Sequence, residues 1–125
     1  MTLSPDSVAL VQLAAAAADA KGGEDLVAFD VSEPLPLVDA FLLVTGSSER
    51  NVAAIADEVE ERLLEAGTKR LRREGRSEAR WVLLDFGDLV VHVFHEEERT
   101  YYGLERLWKD CPVVPIQLPS PATQE

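Results

Sequence analysis

Trp81-Val82-Leu83-Leu84-Asp85-Phe86-Gly87-Asp88-Leu89-Val90-Val91-His92-Val93-Phe94 is the stretch around which the chain is organised. Two apolar runs rich in β-branched residues flank Asp85-Phe86-Gly87-Asp88. Glycine takes positive φ at little cost there, so the pattern predicts a β-hairpin with a tight turn. A two-residue loop pairs positions of opposite parity, and side chains alternate along each strand. Val82, Leu84, Phe86, Leu89, Val91 and Val93 therefore share one wholly apolar face, which is core. Trp81, Leu83, Asp85, Val90, His92 and Phe94 share the other, with Asp88 joining or leaving it according to the turn. Aromatics mixed with a carboxylate and an imidazole suit a surface that meets a partner. The competing expectation is that a helix or loop of the same chain covers this face.

Working outward, Ser4-Pro5-Asp6 is a helix start and the alanine-rich run to Ala20 favours helix, stopped by Gly22-Gly23. Leu26, Val27, Phe29 and Val31 mark a strand, and Pro34-Leu35-Pro36 a loop. The continuous run Phe41-Leu42-Leu43-Val44-Thr45 suits a central strand buried on both faces. Gly46-Ser47-Ser48 turns into a helix capped by one of the serines, with Val52, Ile55, Ala56, Val59 and Leu63 as its buried stripe. A short edge strand over 69–73 precedes the hairpin, and Glu96 opens a last helix running through Trp108. From Pro112 four prolines interrupt the chain. The resulting expectation is one α/β domain over residues 1–111, a mixed sheet of about five strands flanked by helices. Residues 112–125 form a proline-rich tail, expected to be disordered in part.

Net charge is −11, from 12 basic and 23 acidic side chains. Such a chain is repelled by nucleic-acid backbones at long range and is complementary to a basic protein surface. Six of the basic residues, Lys69, Arg70, Arg72, Arg73, Arg76 and Arg80, lie within residues 69–80. They read as a solvated loop balancing the acidic helix before it, or as a contact with RNA already held by a partner. The lone Cys111 suits a reducing compartment. Val8 to Ala18 follows Asp6 with no basic residue before it, unlike a signal peptide, so the cytoplasm is the expected location, or an organelle matrix if a transit peptide has been lost.

Catalytic constellations are weak. Asp85-Phe86-Gly87 spells the magnesium-binding tripeptide of protein kinases, without the phosphate loop or catalytic loop that chemistry needs. His92 and His95 are three apart and point to opposite faces of a strand, so no metal site is expected. Gly46-Ser47 between strand and helix suggests the start of a nucleotidyltransferase site, but the paired strand carboxylates that hold its metal ions are missing. No catalytic residue and no cofactor are assigned.

Thr45-Gly46-Ser47-Ser48 leading into Val52-Ala53-Ala54-Ile55-Ala56-Asp57-Glu58-Val59, then Glu74-Gly75, the hairpin, and Tyr102-Gly103-Leu104-Glu105-Arg106-Leu107-Trp108 together resemble the RsfS/Iojap family of ribosomal silencing factors. The similarity runs from about residue 8 to 112. Ala40, His95 and the Pro34-Leu35-Pro36 loop are individual departures. The resemblance implies a nucleotidyltransferase-like α/β fold without catalytic carboxylates. It also implies a non-enzymatic factor that binds large-subunit ribosomal protein L-fourteen and sterically blocks small-subunit joining when nutrients are scarce, and a capacity for homodimers. Matched to the family's hairpin and last helix, the expected contact residues are Trp81, Asp85, Asp88, His92, Phe94, Tyr101, Tyr102 and Trp108. Asp85 and Asp88 would pair with lysine or arginine of the partner. For Phe94 and Trp108 plain core is the competing expectation. The alternative from another class is a nucleotidyltransferase-like enzyme or nucleotide binder using the Gly46-Ser47 loop.

Overall fold

The computed structural model describes residues 4–35, 37–75 and 80–117, with the side chains of Thr100, Tyr101, Tyr102 and Leu104 outside the description. Its elements are α1 (Pro5–Ala20), β1 (Glu24–Asp30), β2 (Ala40–Gly46), α2 (Glu49–Glu65), β3 (Arg72–Glu74), β4 (Trp81–Asp85), β5 (Leu89–His95), α3 (Glu96–Tyr102), a 3-10 helix (Leu104–Trp108) and β6 (Val113–Val114). The strands form one sheet in the order β3-β4-β5-β2-β1-β6. It is mixed: β2 and β5 run parallel, and every other neighbouring pair is antiparallel.

The hairpin forms in the expected register, Asp85 opposite Val90 and Trp81 opposite Phe94. Phe86 N–H donates to the Leu89 carbonyl (2.9 Å), which leaves Gly87-Asp88 as a two-residue turn. Gly87 has φ +94°, the geometry a side chain resists. With the register fixed, the apolar hairpin face enters a core built with α1 and α2. Ser4 caps α1 by accepting from Ser7 N–H, and Ser48 caps α2 by accepting from Asn51 N–H. Ala14, Ala15, Ala17 and Ala18 are fully buried, because small side chains let α1 sit close against sheet and helix. The α2 stripe Val52, Ile55, Ala56, Val59 and Leu63 is buried as well.

The expected mixed sheet flanked by helices is present, and two details, the last helix and the first edge strand, need correction. The sheet has six strands, because Val113–Val114 pairs with Ala28 and Phe29 of β1 despite flanking prolines. An edge strand tolerates them, since its outward N–H groups need no partner. The tail therefore begins inside the domain: Asp30 N–H donates to the Pro112 carbonyl, and the Gln12 side chain bonds both Pro115 O and Gln117 N–H. Residues 118–125, the rest of the expected tail, lie outside the described residues. The last helix is broken: α3 stops at Gly103, which adopts φ +54°, and a 3-10 helix carries the chain on to Trp108. The first edge strand lies at Arg72–Glu74 rather than over 69–73.

Candidate functional site

The two long helices, α1 and α2, pack into the core on one side of the sheet, and among the described residues the other side carries the loop with Leu35 and Val38, Cys111, the 3-10 helix with Trp108, and, at the Thr45 end, Arg99 of α3. Phe29, Val31, Phe41, Leu43, Val90 and Phe94 form its buried layer, and Trp81, Leu83, Val27, Leu35, Val38, Trp108 and Cys111 pack over that layer. At its centre the aromatic rings interlock. Trp81 tilts against Phe94 at 4.9 Å between ring centroids, and Phe94 stacks with His92 at 5.9 Å. Phe41 stands edge-on to both His92 (5.0 Å) and Trp108 (5.2 Å).

His92 is 6% exposed. Burial pushes its pKa down to about 4, so the imidazole is neutral at physiological pH. Trp81 Nε1–H donates to His92 Nδ1 (3.3 Å), which assigns the ring proton to Nε2. That Nε2 is buried without a hydrogen-bond partner, and so is Trp108 Nε1. Among the described residues these are the two buried side-chain polar atoms left unmatched, and both belong to this cluster. An unmatched buried donor costs about 1–3 kcal/mol.

The rim is apolar. The loop that brings Leu35 and Val38 onto the face also carries Leu37, 87% exposed. The 3-10 helix carries Leu107, 70% exposed, beside Trp108. Val113 lies opposite Phe29 in the ladder, hence on the same face, and is 60% exposed. Next to Cys111 a hollow of about 290 Å³ is lined by Asp30, Glu33, Pro34, Asp110, Cys111 and Pro112, which sets carboxylates at one edge of the apolar surface.

The structure thus brings Trp81, His92, Phe94 and Trp108 together. It encloses Phe94 completely, so that side chain is interior and not a contact surface. His92 is buried as well, and what it does is orient Trp81. Asp85 and Asp88 sit at the turn end. Asp85 Oδ1 accepts from Gly87 N–H (2.9 Å) and Oδ2 faces Arg72 at 3.8 Å, so this carboxylate braces the turn, whereas Asp88 is exposed. The side chains of Tyr101 and Tyr102 lie outside the described residues. Sequence reasoning missed Phe41, Leu37, Leu107 and Val113. For Phe41 the signal was strand parity, since it alternates with Leu42 and pairs in register with Val90.

Two other candidates change character. The described arginines of the basic segment face acids of their own chain. Arg70 bonds Glu60 (2.7 Å), Arg73 bonds Asp57 and Glu60 (2.9 and 3.0 Å), and Arg72 lies at 3.2 Å from Glu74. Arg80 holds Glu49, Glu97 and Glu98 together. Arg76 lies outside the described residues. The Gly46-Ser47 turn is closed by its own helix: Ser47 N–H donates to Asn51 Oδ1 (2.9 Å), and a Cβ on Gly46 would come within 2.6 Å of Val52 Cγ2. His92 lies inside the sheet while His95 accepts from Glu97 N–H at the start of α3. Among the described residues no group of three or more His, Cys, Asp or Glu side chains is placed to hold a metal ion.

The geometry is that of an α/β domain whose most distinctive surface is the aromatic sheet face opposite α1 and α2. The family model described as "Ribosomal silencing factor during starvation" matches residues 4–125. The chain is 46% identical over 107 residues to the ribosomal silencing factor RsfS of Bacillus subtilis, covering 86% of this chain and 91% of that one. It is 47% identical over 108 residues to RsfS of Halalkalibacterium halodurans, covering 86% and 92%. The chloroplastic Iojap protein of Zea mays is 32% identical over 82 residues, which is 63% of this chain and 33% of that one. A crystal structure from Bacillus halodurans superposes with a TM-score of 0.76 at 46% identity, over 86% of this chain and 98% of the other. One from Chromobacterium violaceum gives 0.79 at 33% identity, over 96% and 99%. The chain belongs to the RsfS family of ribosomal silencing factors, which are regulators of translation.

Proposed function

We propose that the aromatic sheet face docks on the large ribosomal subunit, against ribosomal protein L-fourteen, and that the bound domain keeps the small subunit from joining by occupying its docking surface. Translation is thereby repressed when nutrients are limiting. The observation that carries this reading is the concentration of unmatched buried donors, half-buried indoles and an exposed apolar rim on this one face. Large aromatic anchors inside a ring of apolar contacts are what a tight protein interface uses. Trp81 and Trp108 are the anchors. Asp88 and the acidic hollow beside Cys111 supply charge complementary to a basic ribosomal protein.

The internal pairing of Arg70, Arg72, Arg73 and Arg80 removes most of the reason to give residues 69–80 an RNA contact. The closed Gly46-Ser47 turn likewise gives no support to a nucleotide site, which favours a non-enzymatic role. Such a factor acts where ribosomes assemble, in the cytoplasm. With no ribosomal partner present, the same face is available to a second copy, which accounts for the homodimers the family implies.

The test is titration of purified L-fourteen into the purified chain by calorimetry. Saturable binding that is lost in Trp81→Ala supports the proposal. No heat with L-fourteen, or wild-type affinity in a folded Trp81→Ala variant, contradicts it.

A further inference from the structure

Trp108 reaches the aromatic face on a 3-10 helix of five residues that has no side-chain cap at its start and leaves Leu107 exposed. So short an element does not hold its own position by its hydrogen bonds, because 3-10 geometry is poor, and Trp108 against Phe41 supplies an apolar contact. What ties it down is Arg99 of α3. The Arg99 side chain is 11% exposed and every nitrogen of its guanidinium is engaged. Nε and Nη2 grip the Glu105 carboxylate in a fork at 3.2 and 2.9 Å. Nη1 donates to Thr45 Oγ1 at 2.8 Å and to the Asp25 carbonyl at 2.6 Å. One side chain therefore joins the 3-10 helix to the end of β2 and the start of β1.

A second observation points to the same spot. Asp25 is the one non-glycine among the described residues with positive φ, +51°, and the β1–β2 register shifts between Glu24 and Val27. Left-handed backbone at a non-glycine is unfavourable and persists where surrounding structure requires it. Here the turned backbone presents its carbonyl to Arg99.

We infer that Arg99 is a positioning residue for partner docking: through Glu105 it clamps the 3-10 helix so that Trp108 stands against Phe41 and the aromatic face is assembled before the partner arrives. Arginine suits the task because its planar fork reaches carboxylate, hydroxyl and carbonyl at once, which a lysine ammonium cannot. Releasing the clamp leaves Trp108 on a mobile segment, so the competent surface is populated only part of the time and affinity falls by that fraction. The inference rests on the docking reading above.

The experiment compares wild type, Glu105→Gln, Arg99→Gln and the double variant in two measurements. One is amide hydrogen exchange of residues 104–111 in the free protein. The other is affinity for isolated large subunits. Glu105→Gln is the gentler change, since it leaves Arg99 its bonds to Thr45 and Asp25, and it decides the matter should Arg99→Gln fail to fold. Faster exchange confined to 104–111, affinity lower by about tenfold, and a double variant no weaker than Arg99→Gln support the clamp. Unchanged exchange in Glu105→Gln overturns it, and so does faster exchange with wild-type affinity. Failure of wild type to bind large subunits is seen before any variant is compared; it removes the docking reading, while the exchange data still show whether the clamp holds the helix.

Discussion

His92 illustrates how a side chain chosen for one role can serve another. Its place among Trp81 and Phe94 on one hairpin face was legible from alternation, but its withdrawal was not, because burial depends on Phe41 of another strand, which in turn packs on the distant Trp108. A neutral buried imidazole has a consequence for stability. Its pKa is about 4 in the folded chain and near 6.5 when exposed, so the unfolded state binds the proton more readily. Stability from this group is complete above pH 6.5 and is lost as pH falls toward 4, by on the order of 3 kcal/mol in all. Urea unfolding at pH 7 and pH 4.5 should show this loss in wild type and a clearly smaller one in His92→Gln; equal losses would assign the acid sensitivity elsewhere. Trp81 and Phe94 should separate by the same kind of measurement. Trp81→Ala should weaken large-subunit binding by roughly 2 kcal/mol or more, about thirtyfold, at modest cost in stability. Phe94→Ala, fully buried, should instead destabilise the fold by about 3–5 kcal/mol.

Elements were legible where their signals are local. The hairpin follows from parity and Gly87, α2 from its stripe and serine cap, and α1 from Ser4-Pro5 and alanine. What escaped were elements specified by distant partners. Val113–Val114 carries no strand signal between its prolines, and becomes a strand because β1 offers an open edge. The break at Gly103 is written in the glycine, yet the 3-10 helix beyond it depends on Arg99 meeting Glu105 and Thr45. Truncation after Cys111 tests the weight of β6. It removes buried Val114, uncovers the β1 edge and leaves Gln12 without its partners. We expect a loss on the order of 2 kcal/mol, about 8 °C in Tm, measured by calorimetry; an unchanged Tm would make β6 ornamental.

For the molecule entire, the net charge of −11 gains meaning once its arginines are placed. Arg70, Arg72, Arg73 and Arg80, the described arginines of the basic run, are paired with acids of the same chain, and the net charge of the whole is acidic, which favours a basic partner. One side of the sheet is closed by helices and the other by an aromatic layer with two unmatched donors. Composition and alternation pointed toward this division of labour between the faces. The particular contact residues were less legible, because a side chain on the right face can still lie beneath it. The most direct test is co-sedimentation with isolated large and small subunits at two salt concentrations, followed by addition of small subunits to the loaded large ones. Retention on the large subunit alone, weaker at high salt, with small subunits failing to join, is the predicted result. Retention on neither subunit, or joining that proceeds unhindered past the bound protein, would contradict the account.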